Sequence, residues 1–218
     1  MTGSDLKFAR TQRGWTQQQA ARNLRVTQAY LSMLESGRRP VPDELALKFA
    51  ARFNVSPLAL PLEQNRSRDL AADLGALGYP GFAYLTAPAR NPAAVLLDAL
   101  RRTNLEARVV EALPWLVSRF AEMNWNWLVP RLKVRDRQNR LGFVVTLARE
   151  LAERRTATAT AEVLRQLESR LQSSRLLAED VLSGSLTEPE REWLRANRSQ
   201  PAKFWNVLSD LRVEHLNA

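Results

Sequence analysis

The 218-residue chain has no cysteine and one histidine, His215. The first absence excludes disulfides, thiolate nucleophiles and thiolate metal sites. The second leaves only one imidazole, close to a C-terminus that is expected to fray, for general acid–base or metal chemistry. The eight glycines form no phosphate-cradling loop, and the longest apolar runs fall far short of the ~20 residues that span a bilayer. MTGSDLKFAR at the start lacks the uninterrupted apolar segment of a signal peptide. Paired acids such as Glu150 and Glu153 fall among arginines on amphipathic stretches and read as surface ion pairs. The expectation is a cytoplasmic protein, suited to a reducing compartment, that is not an enzyme and needs no cofactor or metal. What the chain does have is positive charge: 32 Lys and Arg against 23 Asp and Glu, net +9, with a pI near 10.9. That imbalance favours a polyanionic partner such as nucleic acid.

Residues 15–37, WTQQQAARNLRVTQAYLSMLESG, predict two short helices joined by a tight turn. Thr16 and Gln19 have capping-box spacing, with Trp15 ahead as a staple. Ala20, Ala21 and Leu24 face inward, and Asn23 and Arg25 close the helix. Thr27 caps the second helix, and Val26 is placed to pack on Leu31. With Leu31 and Leu34 turned to the core, the opposite face carries Ala29, Ser32, Met33 and Ser36, with Gln28 in the first turn. This face is short-chained and uncharged, unlike an ordinary solvated helix surface, and it suits the floor of a major groove. Gly37 stops the helix, and Arg38 and Arg39 follow. Pro42, Asp43 and Glu44 then begin a helix through Arg52, which brings Leu45, Phe49 and Phe53 to a small core, helped by Leu47 or Ala50.

The first sixty or so residues resemble the helix-turn-helix domain of the Cro and C1 phage-repressor family, the XRE-type regulators. The matching residues include Leu6, Arg10, Gly14, Trp15, Thr16, Gln17, Ala20, Leu24, Val26, Thr27 and Gln28. The match continues through Tyr30, Leu31, Leu34, Glu35 and Gly37, then Pro40, Leu45, Leu47, Ala50, Phe53, Val55 and Pro57. The resemblance implies a lambda-repressor-like five-helix domain over residues 1–62 that binds double-stranded DNA. It implies that Arg10 and Glu35 form an internal ion pair locking the first helix to the recognition helix. Glu35 lies about 40° from Leu31 at ~3.6 residues per turn, toward the core side. Base contacts are expected from Gln28, which can donate and accept at adenine, from Ala29 and Met33 at thymine methyls, and from Ser32. Met33 has a second reading, packing against a partner domain. Phosphate contacts are expected from Gln17, Thr27, Tyr30, Arg38 and Arg39. One such domain reads only four or five base pairs, so a homodimer on a palindromic operator is expected, with repression as its outcome.

Residues 63–91 read as an ordered connecting segment, too rich in aromatics (Tyr79, Phe82, Tyr84) for a free tether, with a short helix over 69–77. Residues 92–218 read as a helical bundle for dimerisation or partner binding, making the whole chain all-α. Its helices are expected over 93–102, over 105–120 with Pro114 kinking or splitting it, and over 132–155. Further helices are expected over 161–182, from the Thr187 cap onward, and over 201–215. Gly142 marks a close helix contact or a break, and the tryptophans are mostly core, with Trp125 and Trp127 at an interface or groove.

Within this half, Arg131, Lys133, Arg135, Arg137 and Arg140 against Asp136 give +4 over ten residues. The stretch is either a solvated face or a second basic surface for flanking DNA or an acidic partner. WLVPRLKVRDRQNRLGFVVTLAREL also resembles the C-terminal part of regulators encoded beside nucleotidyltransferase-type toxins. That resemblance implies an antitoxin that binds its toxin and represses its own operon. A third reading is a protein-interaction module with a degenerate helix-turn-helix.

Overall fold

Two separate apolar clusters organise the chain, one over the first sixty residues and a larger one over the rest. The computed structural model describes residues 1–53, 55–62, 69–182 and 186–216. It is all-α apart from one pair of two-residue strands among the described residues. No described helix is long and apolar enough to cross a membrane.

The first cluster is enclosed by α1 (Gly3–Gln12), α2 (Gln17–Leu24), α3 (Gln28–Glu35) and α4 (Asp43–Phe53). Threonines start three of these helices. Thr2 and Asp5 exchange capping bonds at α1, as do Thr16 and Gln19 at α2, while the Thr27 hydroxyl accepts from the Tyr30 amide at α3. Such caps stabilise a short helix by about 1 kcal/mol each, which matters where a helix has only two turns. Leu6, Ala20, Ala21, Leu24, Leu31, Leu34, Leu45, Phe49 and Phe53 are buried together, with Trp15 edge-on to Phe53 at 4.8 Å. The fifth helical element is a single 3-10 turn, Pro57–Ala59, capped by Ser56.

This turn is hydrogen-bonded to the second unit. Asn91 donates through Nδ2 to the carbonyls of Leu58 (3.1 Å) and Leu60 (2.8 Å), while its Oδ1 caps α6 (Pro92–Arg101). Residues 69–91 are more than a connection: Leu70 and Leu74 of α5 (Leu70–Ala76), with Tyr79 and Phe82, belong to the larger core. Tyr79 packs edge-on to Trp115 at 5.2 Å. Residues 63–68 lie outside the described ones.

The larger unit continues with α7 (Ala107–Arg119), α8 (Trp125–Lys133), α9 (Gln138–Arg154), α10 (Thr158–Gln172), α11 (Glu188–Asn197) and α12 (Gln200–Phe204). Several sequence expectations change here. α7 carries Pro114 without splitting. The single pattern over 132–155 is two helices, because Asp136 takes a left-handed conformation (φ 54°). The amides of Arg135, Asp136 and Arg137 return to the carbonyls of Leu132 and Lys133. α10 begins within TATATA and ends at Gln172, well short of 182. The helix expected over 201–215 stops at Phe204. Asn206 turns left-handed (φ 53°), and β2 (Val207–Leu208) pairs in parallel with β1 (Asp180–Val181).

The cause of that stop is Trp205. Its ring is fully buried, lies against Gly142 of α9 and donates through Nε1 to the Thr146 hydroxyl at 2.8 Å. A Cβ on Gly142 would stand 2.4 Å from the indole. Gly142→Ala is therefore expected to cost about 1–3 kcal/mol through overpacking. Urea unfolding of the full chain followed by tryptophan fluorescence checks this, with Gly142→Ala moving the midpoint to lower denaturant.

Candidate nucleic-acid interface

The geometry of the reading head follows from one buried cation. Arg10 of α1 donates through Nε to Glu35 Oε1 at 2.6 Å and through Nη2 to Oε2 at 3.0 Å. Its Nη1 donates to the Trp15 carbonyl at 2.7 Å. Gln17, in the first turn of α2, donates through Nε2 to Glu35 Oε2 at 2.9 Å. Three helices thus meet on a single carboxylate that is itself buried. Burial works to raise the Glu35 pKa, but the bonds from Arg10 and Gln17 prevail and hold it below the ordinary 4.5; the bond to Glu35 raises Arg10. The α1–α3 approach is also steric: a Cβ on Gly3 would fall 1.9 Å from the Leu34 carbonyl oxygen.

The turn between α2 and α3 is set by Arg25, in the left-handed region at φ 58°, with the Val26 amide returning to the Ala21 carbonyl at 3.0 Å. With Leu31, Leu34 and Glu35 inside, α3 exposes Gln28, Ala29, Ser32 and Ser36, and half-buries Met33. No charged side chain lies on that face, because the one acid of α3 is turned inward. Such a surface presents hydrogen-bonding groups and methyls without an anion to repel phosphate.

The remaining residues fall at its edges. Arg38 and Arg39 are exposed after Gly37, the Arg39 amide bonding back to the Met33 carbonyl and its guanidinium lying 5.9 Å from the Tyr30 ring. Thr27 is exposed, and capping uses its hydroxyl only as an acceptor, so the hydroxyl hydrogen remains for a phosphate. Tyr30 is half-buried against the core. Gln17 is tied to Glu35, so its role in any phosphate contact rests on the second amide hydrogen and on the backbone N–H groups at the start of α2. The sequence reading missed the Gln17–Glu35 bond and the seat of Gly3. A glycine in the first turn of a helix was the available signal for the second.

The basic stretch of 131–140 does not survive as a five-residue surface. Arg140 is 2% exposed and forms a bidentate pair with Asp180 at 2.8 and 2.7 Å. It also donates to the carbonyls of Leu100 (3.3 Å) and Arg102 (2.6 Å). Arg137 is half-buried beside the same aspartate at 3.4 Å. Arg131 lies over the Trp127 ring at 4.5 Å. Of the five, only Lys133 and Arg135 are exposed, flanking Val134 at 86% exposure. Asp180, distant in sequence, draws the two arginines inward.

Residues 6–60 match the family model described as helix-turn-helix, about a quarter of the chain. No curated protein and no solved structure matches the chain.

Glu35→Gln removes the charge but keeps the shape, leaving Arg10 buried without its anion at a cost of about 3–5 kcal/mol. Because the folded pKa of Glu35 is lowered, its contribution is fully present above 4.5 and is lost as the pH falls through the folded value. Hydrogen exchange on the full chain is expected to show faster exchange of α1 and α3 amides in Glu35→Gln at neutral pH. Wild type is expected to approach the variant as the pH drops below 4.5.

Proposed function

We propose that the protein is a DNA-binding regulator of the Cro/C1 (XRE) type, a dimeric repressor acting on a palindromic operator, a reading supported by the helix-turn-helix match over residues 6–60. The observation that carries this reading is the outer face of α3, exposed, uncharged and held on a buried three-helix ion pair, with Arg38 and Arg39 exposed at its end. Gln28 pairs with adenine, Ser32 bonds a neighbouring base edge, and Ala29 and Met33 meet thymine methyls. Arg38, Arg39, Thr27 and the start of α2 grip phosphates and set the register, with Tyr30 at the flank. Four or five base pairs per domain are too few to discriminate in a genome. Two half-sites about one helical turn apart supply the rest.

A second reading is favoured by one observation. The tip of the α8–α9 turn exposes Lys133 and Arg135 around an exposed valine, in the segment that resembles toxin-paired regulators. There the protein docks an acidic partner, and the same chain acts as an antitoxin. A Lys133→Glu/Arg135→Glu variant that keeps operator affinity but no longer holds a co-expressed nucleotidyltransferase supports this reading. Unchanged capture of that enzyme removes it.

Mobility shifts on the DNA upstream of the chain's own coding sequence test the main reading. Gln28→Ala is expected to weaken specific binding by about 1–3 kcal/mol and to relax preference at one position of each half-site. Arg38→Ala is expected to weaken all sequences alike and to lower the salt dependence of binding by about one charge per domain. Specific shifts that neither variant alters would exclude α3 as the reading helix.

A further inference from the structure

The larger unit holds a groove that the DNA-binding surface does not use. It lies between the start of α7, the outer face of α11 and the strand-to-loop segment after β2, with an open volume of about 390 Å³. Val110, Leu182, Leu208 and Leu211 form its floor, and each of them is buried. Trp193 and Leu194 of α11, with Leu186 just before that helix, form one wall. Trp193 is 55% exposed, although a tryptophan in an amphipathic helix is expected in the core. Here the indole lines the groove instead.

The rim is acidic. Glu111, Glu190 and Asp210 line the groove, and among the described residues no lysine or arginine does, in a chain whose net charge is +9. Glu190 is fixed there by the capping box of α11, accepting from the Thr187 amide and hydroxyl at 2.7 Å each. Neither Glu111 nor Asp210 is ion-paired among the described residues. Arg191, the neighbour of Glu190, is turned to the Leu186 carbonyl at 3.3 Å and does not line the groove. The size fits a small molecule, within the roughly 300–1,000 Å³ of ligand pockets. The apolar floor fits a hydrocarbon or aromatic body. An aromatic face beside carboxylates fits a positive charge, by cation–π attraction and direct Coulomb pairing.

We propose that this groove is a binding site for an amphipathic organic cation, with an apolar body on the Val110–Leu208 floor and its positive end between Trp193 and the carboxylates Glu111 and Asp210. The site stands apart from the operator reading, since nothing in it touches α2 or α3. Its occupant is a small molecule and not a peptide or a second copy, because the groove's volume of about 390 Å³ suits one compact body and the charged residues that line it are all acidic.

Three probes with one carbon skeleton isolate the charge: 4-phenylbutylammonium, 4-phenylbutanol and 4-phenylbutyrate, titrated calorimetrically into the full chain. The ammonium is expected to bind at least tenfold more tightly than the alcohol, and the carboxylate not to bind. Glu111→Gln/Asp210→Asn is expected to bring the ammonium to the affinity of the alcohol, and Trp193→Ala to weaken both by about tenfold. Both variants change exposed or half-buried side chains, and circular dichroism on each checks that it folds. Equal affinity for all three probes, no ammonium binding, or ammonium binding unchanged in Trp193→Ala overturns the proposal. So does a wild-type dimer, seen by sedimentation, that Trp193→Ala converts to monomer, because the groove is then a face between two copies. None of these measurements contains DNA, so their failure is distinct from failure of the operator reading.

Discussion

Arg10 reaches from α1 to the end of α3, and every other feature of the reading head depends on that contact. Its guanidinium grips both oxygens of Glu35 and the Trp15 carbonyl, and Gln17 closes on the same carboxylate from α2. Apolar packing of Leu6, Leu31 and Leu34 is not directional, and helices of eight residues are too short to be stable alone. The charged bonds supply the direction. They fix the rotation of α3 about its own axis, and with it the residues that face outward. They also take the only acidic side chain of α3 away from its exposed outer face.

The larger unit repeats the device. Arg140 joins α9 to the end of α6 and to β1 through Asp180, and Arg90 joins α5 to α6 through Asp73 (2.6 Å) and Asp98 (2.7 Å). A chain this rich in arginine places several of them inside, where the planar fork satisfies carboxylates and free carbonyls together. The surface is consequently less uniformly basic than the net charge implies. Arg38 and Arg39 are exposed after α3 and Lys133 and Arg135 at the α8–α9 turn, while the charged residues lining the α7–α11 groove are acidic. The charge is therefore unevenly distributed, with arginines beside α3 and carboxylates at the α7–α11 groove.

Glycine works in the opposite sense to arginine, through what it lacks. Gly3 lets the start of α1 seat on the Leu34 carbonyl, and Gly142 lets the Trp205 indole lie on α9. The second contact ends the last helix early and feeds the chain into β2. The two-residue strand pair holds the segment that carries Arg140's partner, Asp180. Core packing, strand pairing and the buried ion pair in this region therefore support one another.

The sequence by itself determined the helical class, the two-helix reading motif, its threonine caps and the outward residues of α3. These are local: a capping box spans four residues, and a helical face repeats within one or two turns. It could not determine that Arg140 is buried, that 132–155 is two helices, that 201–215 is mostly not helix, or that Trp193 lines a groove. Each was decided by a partner far along the chain or by one backbone angle: Asp180 for Arg140, the left-handed Asp136 for the helix break, and Trp205 on Gly142 for the last helix. Hydrophobic periodicity reports which face of a segment is apolar. Which element covers that face, and whether a charge finds a counter-charge beneath it, is settled only when the chain is packed.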